Sequence, residues 1–186
     1  ANAQDRRPTN LKFFPADISS EALRDTMGAF TRALGVRCNH CHLQRPGEGF
    51  DQINYALDDK PEKQKAREML QMVAAINNEH LIKLKDRKQP AVGVTCMTCH
   101  RGVPEPRPIQ QIVLTAYEAA GADSAEKVYR NLRQRYFGRA AYDFGEVGLA
   151  DVGSALRQKG RLQDAVRFLK LNTEFLPNSA FAHRQT

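Results

Sequence analysis

Two hexamers, RCNHCH from Arg37 and TCMTCH from Thr95, use every cysteine in the chain: Cys38, Cys41, Cys96 and Cys99. Each ends in Cys-x-x-Cys-His. A disulfide between residues three apart would leave the adjacent histidines unexplained. A redox Cys-x-x-Cys usually occurs once, near a βαβ pattern, and no such pattern is present. The two knuckles of a zinc ribbon lie roughly 15–20 residues apart, whereas Cys41 and Cys96 are 55 positions apart. A four-cysteine iron–sulfur cluster leaves both histidines idle. Covalent haem attachment uses all six residues. Two thiols on one helical turn reach the two vinyl groups on one porphyrin edge, and the next residue places its imidazole under the iron. The pattern predicts two covalently attached haem c groups, with His42 and His100 as proximal ligands. His40 and Met97 lie inside the attachment turns and do not reach the far face of their own haem. Maturation of such haems outside the cytoplasmic membrane predicts a periplasmic or extracellular protein.

The attachment turns need elements to position them. "SSEALRDTMGAFTRALG" predicts a helix capped by Ser19 or Ser20, with Glu21 in its first turn and Gly35 at its end. Leu23, Met27, Phe30 and Leu34 fall on one face. Met27 on that face is either a distal iron ligand or core filler. "PEKQKAREMLQMVAAINNEHLIKL" predicts a second helix, opened by Pro61. Its apolar face carries Ala66, Met69, Val73, Ile76 and His80, with Met72 about 60° to one side. Met69, Met72 and His80 compete for the second iron on this count. Helix then Cys-x-x-Cys-His thus occurs twice, which reads as an internal duplication. The loop "QRPGEGFDQINYALDD" between the units reads as surface.

The stretches "NLKFFPADISSEALRDTMGAFTRALGVRCNHCH" and "AREMLQMVAAINNEHL…VGVTCMTCHRGVPEP" resemble the cytochrome subunit of bacterial photosynthetic reaction centres. The resemblance covers residues 10–108. It implies that Met27 binds the first iron and that Met69, the first methionine of Met-Leu-x-Met, binds the second, ranking above Met72. The chain departs from the family in having attachment sites for two haems rather than the usual four. Lys83 stands where some members carry a further distal histidine. Two-haem relatives occur in non-photosynthetic bacteria.

Beyond "PEPRP" the pattern predicts helices near 109–120, 124–137, 145–158 and 162–175. In the last pair, Leu149, Gly153, Leu156, Ala165, Leu169 and Pro177 fall at tetratricopeptide-like offsets, with Gly160 in the turn. The chain is therefore expected to be all-α, with a two-haem domain over 1–108 and a helical tail over 109–186. One such repeat buries its faces only against something else. The tail is read as a docking or self-assembly surface, or as a buttress for the fold.

Net charge is +7, which favours acidic partners. Lys83, Lys85, Arg87 and Lys88 are the expected docking cations for an acidic redox protein. No recognition motif supports nucleic-acid binding, and no apolar run is long enough for a membrane helix. Any membrane association would run through a partner. The opening residues read as a mature, trimmed chain. The expected function is electron transfer rather than catalysis, within a larger complex. The competing readings are a haem-lined polymer and a two-haem peroxidase.

Overall fold

A computed structural model describes residues 8–186 and is all-helical. Among the described residues the one isolated strand-like pairing is an antiparallel bridge between Leu43 and Asn54. The described chain falls into two units, divided between Glu105 and Pro106.

In the N-terminal unit, helix α1 (Ser20–Leu34) opens where Ser19 Oγ accepts the Ala22 N–H at 3.1 Å. Glu21 places a carboxylate at the positive end of the helix. The helix stops at Gly35 (φ 66°), whose N–H, like that of Val36, returns to the Thr31 carbonyl. Gly35 is there for a second reason. A Cβ on it would lie 2.1 Å from the Gly102 carbonyl oxygen, and the Gly102 N–H donates to the Ala33 carbonyl at 2.8 Å. Backbone therefore meets backbone where α1 ends, and α1 packs on α3 (Cys96–His100). Gly35→Ala should destabilise this unit by about 1–2 kcal/mol from the left-handed backbone alone. The clash with Gly102 adds to that, and denaturant unfolding of the unit reads the sum.

Helix α2 (Pro61–Ala75) begins with the expected proline. It does not run on as a regular helix to Leu84. It widens into a π turn at Ile76–His80 and then tightens into a 3₁₀ turn at Leu81–Lys83. A wide turn advances less than 100° per residue. His80 therefore leaves the face that a 3.6-residue count assigns it with Met69, and it is exposed. The loop expected to be surface is only partly so. Ile53 within it is buried. Lys63 Nζ donates to the carbonyls of Tyr55, Ala56 and Leu57 at 3.0, 3.1 and 2.7 Å. Lys63 and Arg67 also both pair with Asp58 at 2.9 Å. The loop's polar composition concealed these ties because its partners lie on α2.

In the C-terminal unit, α4 (Ile109–Tyr136) breaks at Ala120 and at Gly121, whose φ of 78° interrupts the helical backbone. Gly121 lies between the two segments predicted as separate helices, and Ala120 is the last residue of the first. Helices α5 (Glu146–Gln158), α6 (Leu162–Phe175) and α7 (Ala180–Gln185) follow. Val113, Tyr129, Leu149, Val152, Leu156 and Phe168 form the centre of the core. Helices α5 and α6 pack tightly where Gly153 faces Leu169; a Cβ there would lie 2.7 Å from Leu169 Cδ2. Arg130 bridges Glu126 (2.8 Å) and Glu174 (2.6 Å), and Arg167 bridges Asp123 (2.6 Å) and Glu126 (2.7 Å). These carboxylate bonds hold Glu126 and Glu174 below the ordinary range. Exposed pairs of this kind contribute little each, so apolar burial decides the stability of the unit.

Candidate functional site

The first Cys-x-x-Cys-His is a single tight turn. The Cys41 and His42 amides both return to the Cys38 carbonyl, at 3.3 and 3.0 Å. The two sulfur-bearing residues therefore stand one turn apart, with His42 next in line. The chain after His42 is held by the Asn54 N–H bond to the Leu43 carbonyl at 3.2 Å. This sets Tyr55 edge-on against the His42 ring, with ring centres 5.0 Å apart. His42 Nδ1 is buried with no hydrogen-bond partner. Burial pushes the imidazole pKa down to about 4, and the Lys63 cation adds to this. The Tyr55 backbone opposes the shift from outside hydrogen-bonding geometry. At neutral pH the ring is therefore uncharged and keeps a lone pair for a metal.

The second copy is helix α3 itself. Thr95 opens it, its N–H donating to Thr98 Oγ1 at 3.0 Å. Arg101 ends it with a φ of 51°. His100 Nδ1 lies 3.0 Å from the Val103 carbonyl. A carbonyl only accepts, so Nδ1 carries the proton and Nε2 is the free lone pair. A backbone carbonyl behind a ligating imidazole fixes its ring and raises its basicity. Val103, almost fully buried, holds that carbonyl in place.

All four thiols are unpaired. Burial raises the pKa of Cys41 and of Cys96, the opposite of the lowered thiol pKa that redox Cys-x-x-Cys chemistry uses. Among the described residues no three His, Cys, Asp or Glu side chains converge on one point. The two cysteine pairs thus do not form one tetrahedral sulfur site of the kind zinc or a cubane cluster takes. Two separate thiol pairs, each followed by a neutral or lone-pair-directed histidine, fit covalent haem.

The surroundings fit as well. In this unit only Ala33, Ile53 and Val103 are buried apolar residues among those described, whereas Phe13, Phe50, Met69, Met72, Ile82 and Leu84 are exposed. A porphyrin is the kind of flat apolar group such side chains cover. Met27 lies half-buried on α1. Met69 and Met72 are 42% and 45% exposed on α2, so exposure does not choose between them. Tyr55, Lys63 and Val103 were not legible as site residues. Each acts through its backbone or through a partner distant in sequence, and no local pattern marks that.

Comparison with known proteins agrees with this chemistry. The family described as "Photosynthetic reaction centre cytochrome C subunit" matches residues 8–142, further than the sequence resemblance reached and past the end of α4. A photosynthetic reaction center cytochrome c subunit from Thermochromatium tepidum is 36% identical over 93 residues, covering 49% of this chain and 20% of that protein. The same-named subunit of Rubrivivax gelatinosus is 38% identical over 72 residues, covering 39% and 16%. Cytochrome c-554 of Chloroflexus aurantiacus is 36% identical over 72 residues, covering 39% and 15%. The matched stretches thus span a fifth or less of these relatives' length. No solved structure gives a significant match.

Proposed function

The chain belongs to the photosynthetic reaction centre cytochrome c subunit family, and on that premise we propose that it is a two-haem c-type cytochrome that carries electrons between proteins. Cys38 and Cys41 hold one haem and Cys96 and Cys99 the other. His42 and His100 take the proximal positions, and Met27 and Met69 the distal ones. The observation that carries this reading is the repeated turn itself: two unpaired thiols one turn apart, with an uncharged or proton-directed imidazole immediately after. The haem, when bound, supplies one-electron redox chemistry. The chain's own part is to hold the imidazole, cover the ring and fix the thioether opposite. With His42 and Met27 to hold one iron and His100 and Met69 the other, neither would keep a place for a substrate, and the chain would serve as a carrier rather than an enzyme. A redox titration followed in the visible tests this. It should resolve two haems, six-coordinate and low-spin, whose spectra peroxide leaves unchanged. A haem count of one or none, or a peroxide-reactive iron, refutes the proposal.

Haem c attachment places the protein outside the cytoplasmic membrane, on the periplasmic or extracellular side. Among the described residues, no helix is long and apolar enough to cross a membrane. The acidic redox partner docks at Lys83, Lys85, Arg87 and Lys88. Support comes from the neighbouring Ile82, Leu84 and Val92, which are exposed and give the cations an apolar centre, as transient interfaces have. Electron transfer with a small acidic redox protein should slow as salt is raised from about 10 mM to 150 mM, because the Debye length shrinks from roughly 30 to 8 Å. Stopped-flow rates independent of salt refute the docking site. The tail is proposed as a tetratricopeptide-like docking unit, on the support of Leu162 and Val166, exposed one turn apart on α6.

A further inference from the structure

We propose that Asn77 is a positioning residue: its side-chain amide clamps the segment that leads into Cys96–His100 onto the end of α2, and so sets where the second attachment turn stands relative to Met69. The inference rests on the two-haem reading above.

The clamp uses the amide's polar capacity on both sides. Asn77 Oδ1 accepts the Val94 N–H at 2.8 Å. Asn77 Nδ2 donates to the Val94 carbonyl at 2.8 Å and to the Val73 carbonyl at 3.0 Å. Both backbone groups of Val94 are thereby taken by one side chain, as a neighbouring strand would take them. Val94 stands two residues before Cys96. The third bond reaches back to α2, just before the π turn at Ile76–His80. Wide turns of this kind recur at functional sites, and here the turn carries the residue that bridges two elements.

The neighbouring sequence is built around the same contact. A Cβ on Gly93 would lie 3.1 Å from Asn77 Oδ1, so a side chain there presses on the clamp. Ile82, Leu84 and Val92, in the intervening chain, are exposed and anchor little. The same α2 is tied through Lys63 to the loop beside His42, by the bonds to Tyr55, Ala56 and Leu57. Helix α2 is therefore a strut with one attachment turn near each end. Asn77 is the fastening at the second end, and Met69 lies on the strut between the fastenings.

The side chain must be an amide. Aspartate has the same shape and still accepts from the Val94 N–H, but its second oxygen would face the Val73 and Val94 carbonyls with no proton to share. Alanine removes all three bonds.

The test uses the matured, haem-bearing protein with Asn77→Asp and Asn77→Ala, and Gly93→Ala as a milder push on the same oxygen. The ferric spectrum is read for the far-red band of thioether-ligated iron, the potentials by titration, and Val94 by amide exchange. The expected result is a haem still on the Cys96–Cys99 peptide, a far-red band reduced to about half, a change in one potential only, and Val94 exchange roughly tenfold faster. Loss of that haem alone, with the Cys38–Cys41 haem and the melting of the C-terminal unit unchanged, also supports the clamp. Faster Val94 exchange with the parent's band and both parent potentials makes Asn77 merely structural and overturns the inference. Unchanged exchange overturns it too. A parent protein with no haem on the Cys96–Cys99 peptide refutes the cytochrome reading itself, and peptide mass separates that outcome from the others.

Discussion

Replacing Cys38, Cys41, Cys96 and Cys99 together with serine is expected to leave the N-terminal unit without a stable fold, while the C-terminal unit keeps its helices and melts cooperatively. The two units bury apolar surface very differently. The C-terminal one buries fourteen hydrophobic residues among those described, including Tyr129, Leu149, Leu156 and Phe168 at 1% exposure or less. The N-terminal one buries Ala33, Ile53 and Val103. Ordering a residue costs about 1–2 kcal/mol of backbone entropy, and fully burying a large apolar side chain returns about 1.5–3 kcal/mol. Three small or medium side chains do not offset a unit of this length. The polar ties do not close the gap. The Asp58 pairs with Lys63 and Arg67 sit on a half-open surface, where such pairs contribute about 0–1 kcal/mol each. On the proposed two-haem reading the haems would be the missing core, and without thioether bonds they would not be held. Far-UV circular dichroism should show two populations on heating the serine variant: helix lost already at room temperature, and helix lost in one later transition. Amide exchange locates them. Protected amides in α1 and α3 of the serine variant would contradict the prediction.

Much of this was written in the sequence, and what was missed has a common physical cause. Helix α1 was legible from end to end, because Ser19 and Gly35 act on their own neighbours through capping bonds. The break at Gly121 fell between the two predicted segments for a similar reason: the chain there needs a backbone conformation that glycine adopts freely. The two Cys-x-x-Cys-His motifs stand out in the sequence because the haem attachment proposed for them needs sulfur, sulfur and imidazole at fixed short spacing. The π turn was not legible, since a count in steps of 100° assumes that the helix stays regular, and Asn77 is bonded to Val94, 17 positions away. The carbonyl behind His100 escaped notice because a backbone acceptor has no residue type to mark it. Ile53 and Tyr55 lay in a loop rich in glycine and charge, which partners distant in sequence turn inward: Lys63 and Arg67 of α2, Asn10 through the Ala56 carbonyl, and the bridge at Leu43.

The second prediction follows from that geometry. Met69→His is expected to abolish the far-red band of one haem and to lower one potential by more than about 0.1 V, out of the roughly 0.8 V range that axial ligands set. Met72→His should leave both nearly unchanged. The direction is fixed by chemistry, since a thioether opposite histidine raises the potential and an imidazole in its place does not. The choice between the two methionines comes from the clamp. Asn77 marks the side of α2 that meets the segment leading into Cys96, because its amide is bonded to Val94. Asn77 also holds the Val73 carbonyl on the regular part of α2; at 100° per residue, Met69 lies about 40° around the helix from Val73 and Met72 about 100°. Met69 is therefore nearer the side that faces the second attachment turn, although the two are almost equally exposed. The π turn moves His80 out of this alignment and into solvent. Spectra of the two variants, taken with the haem count held at two, decide between them. A band lost in Met72→His and kept in Met69→His would mean that α2 presents its other edge to the iron, and the fastening at Asn77 would then hold the helix in a rotation that turns Met69 away.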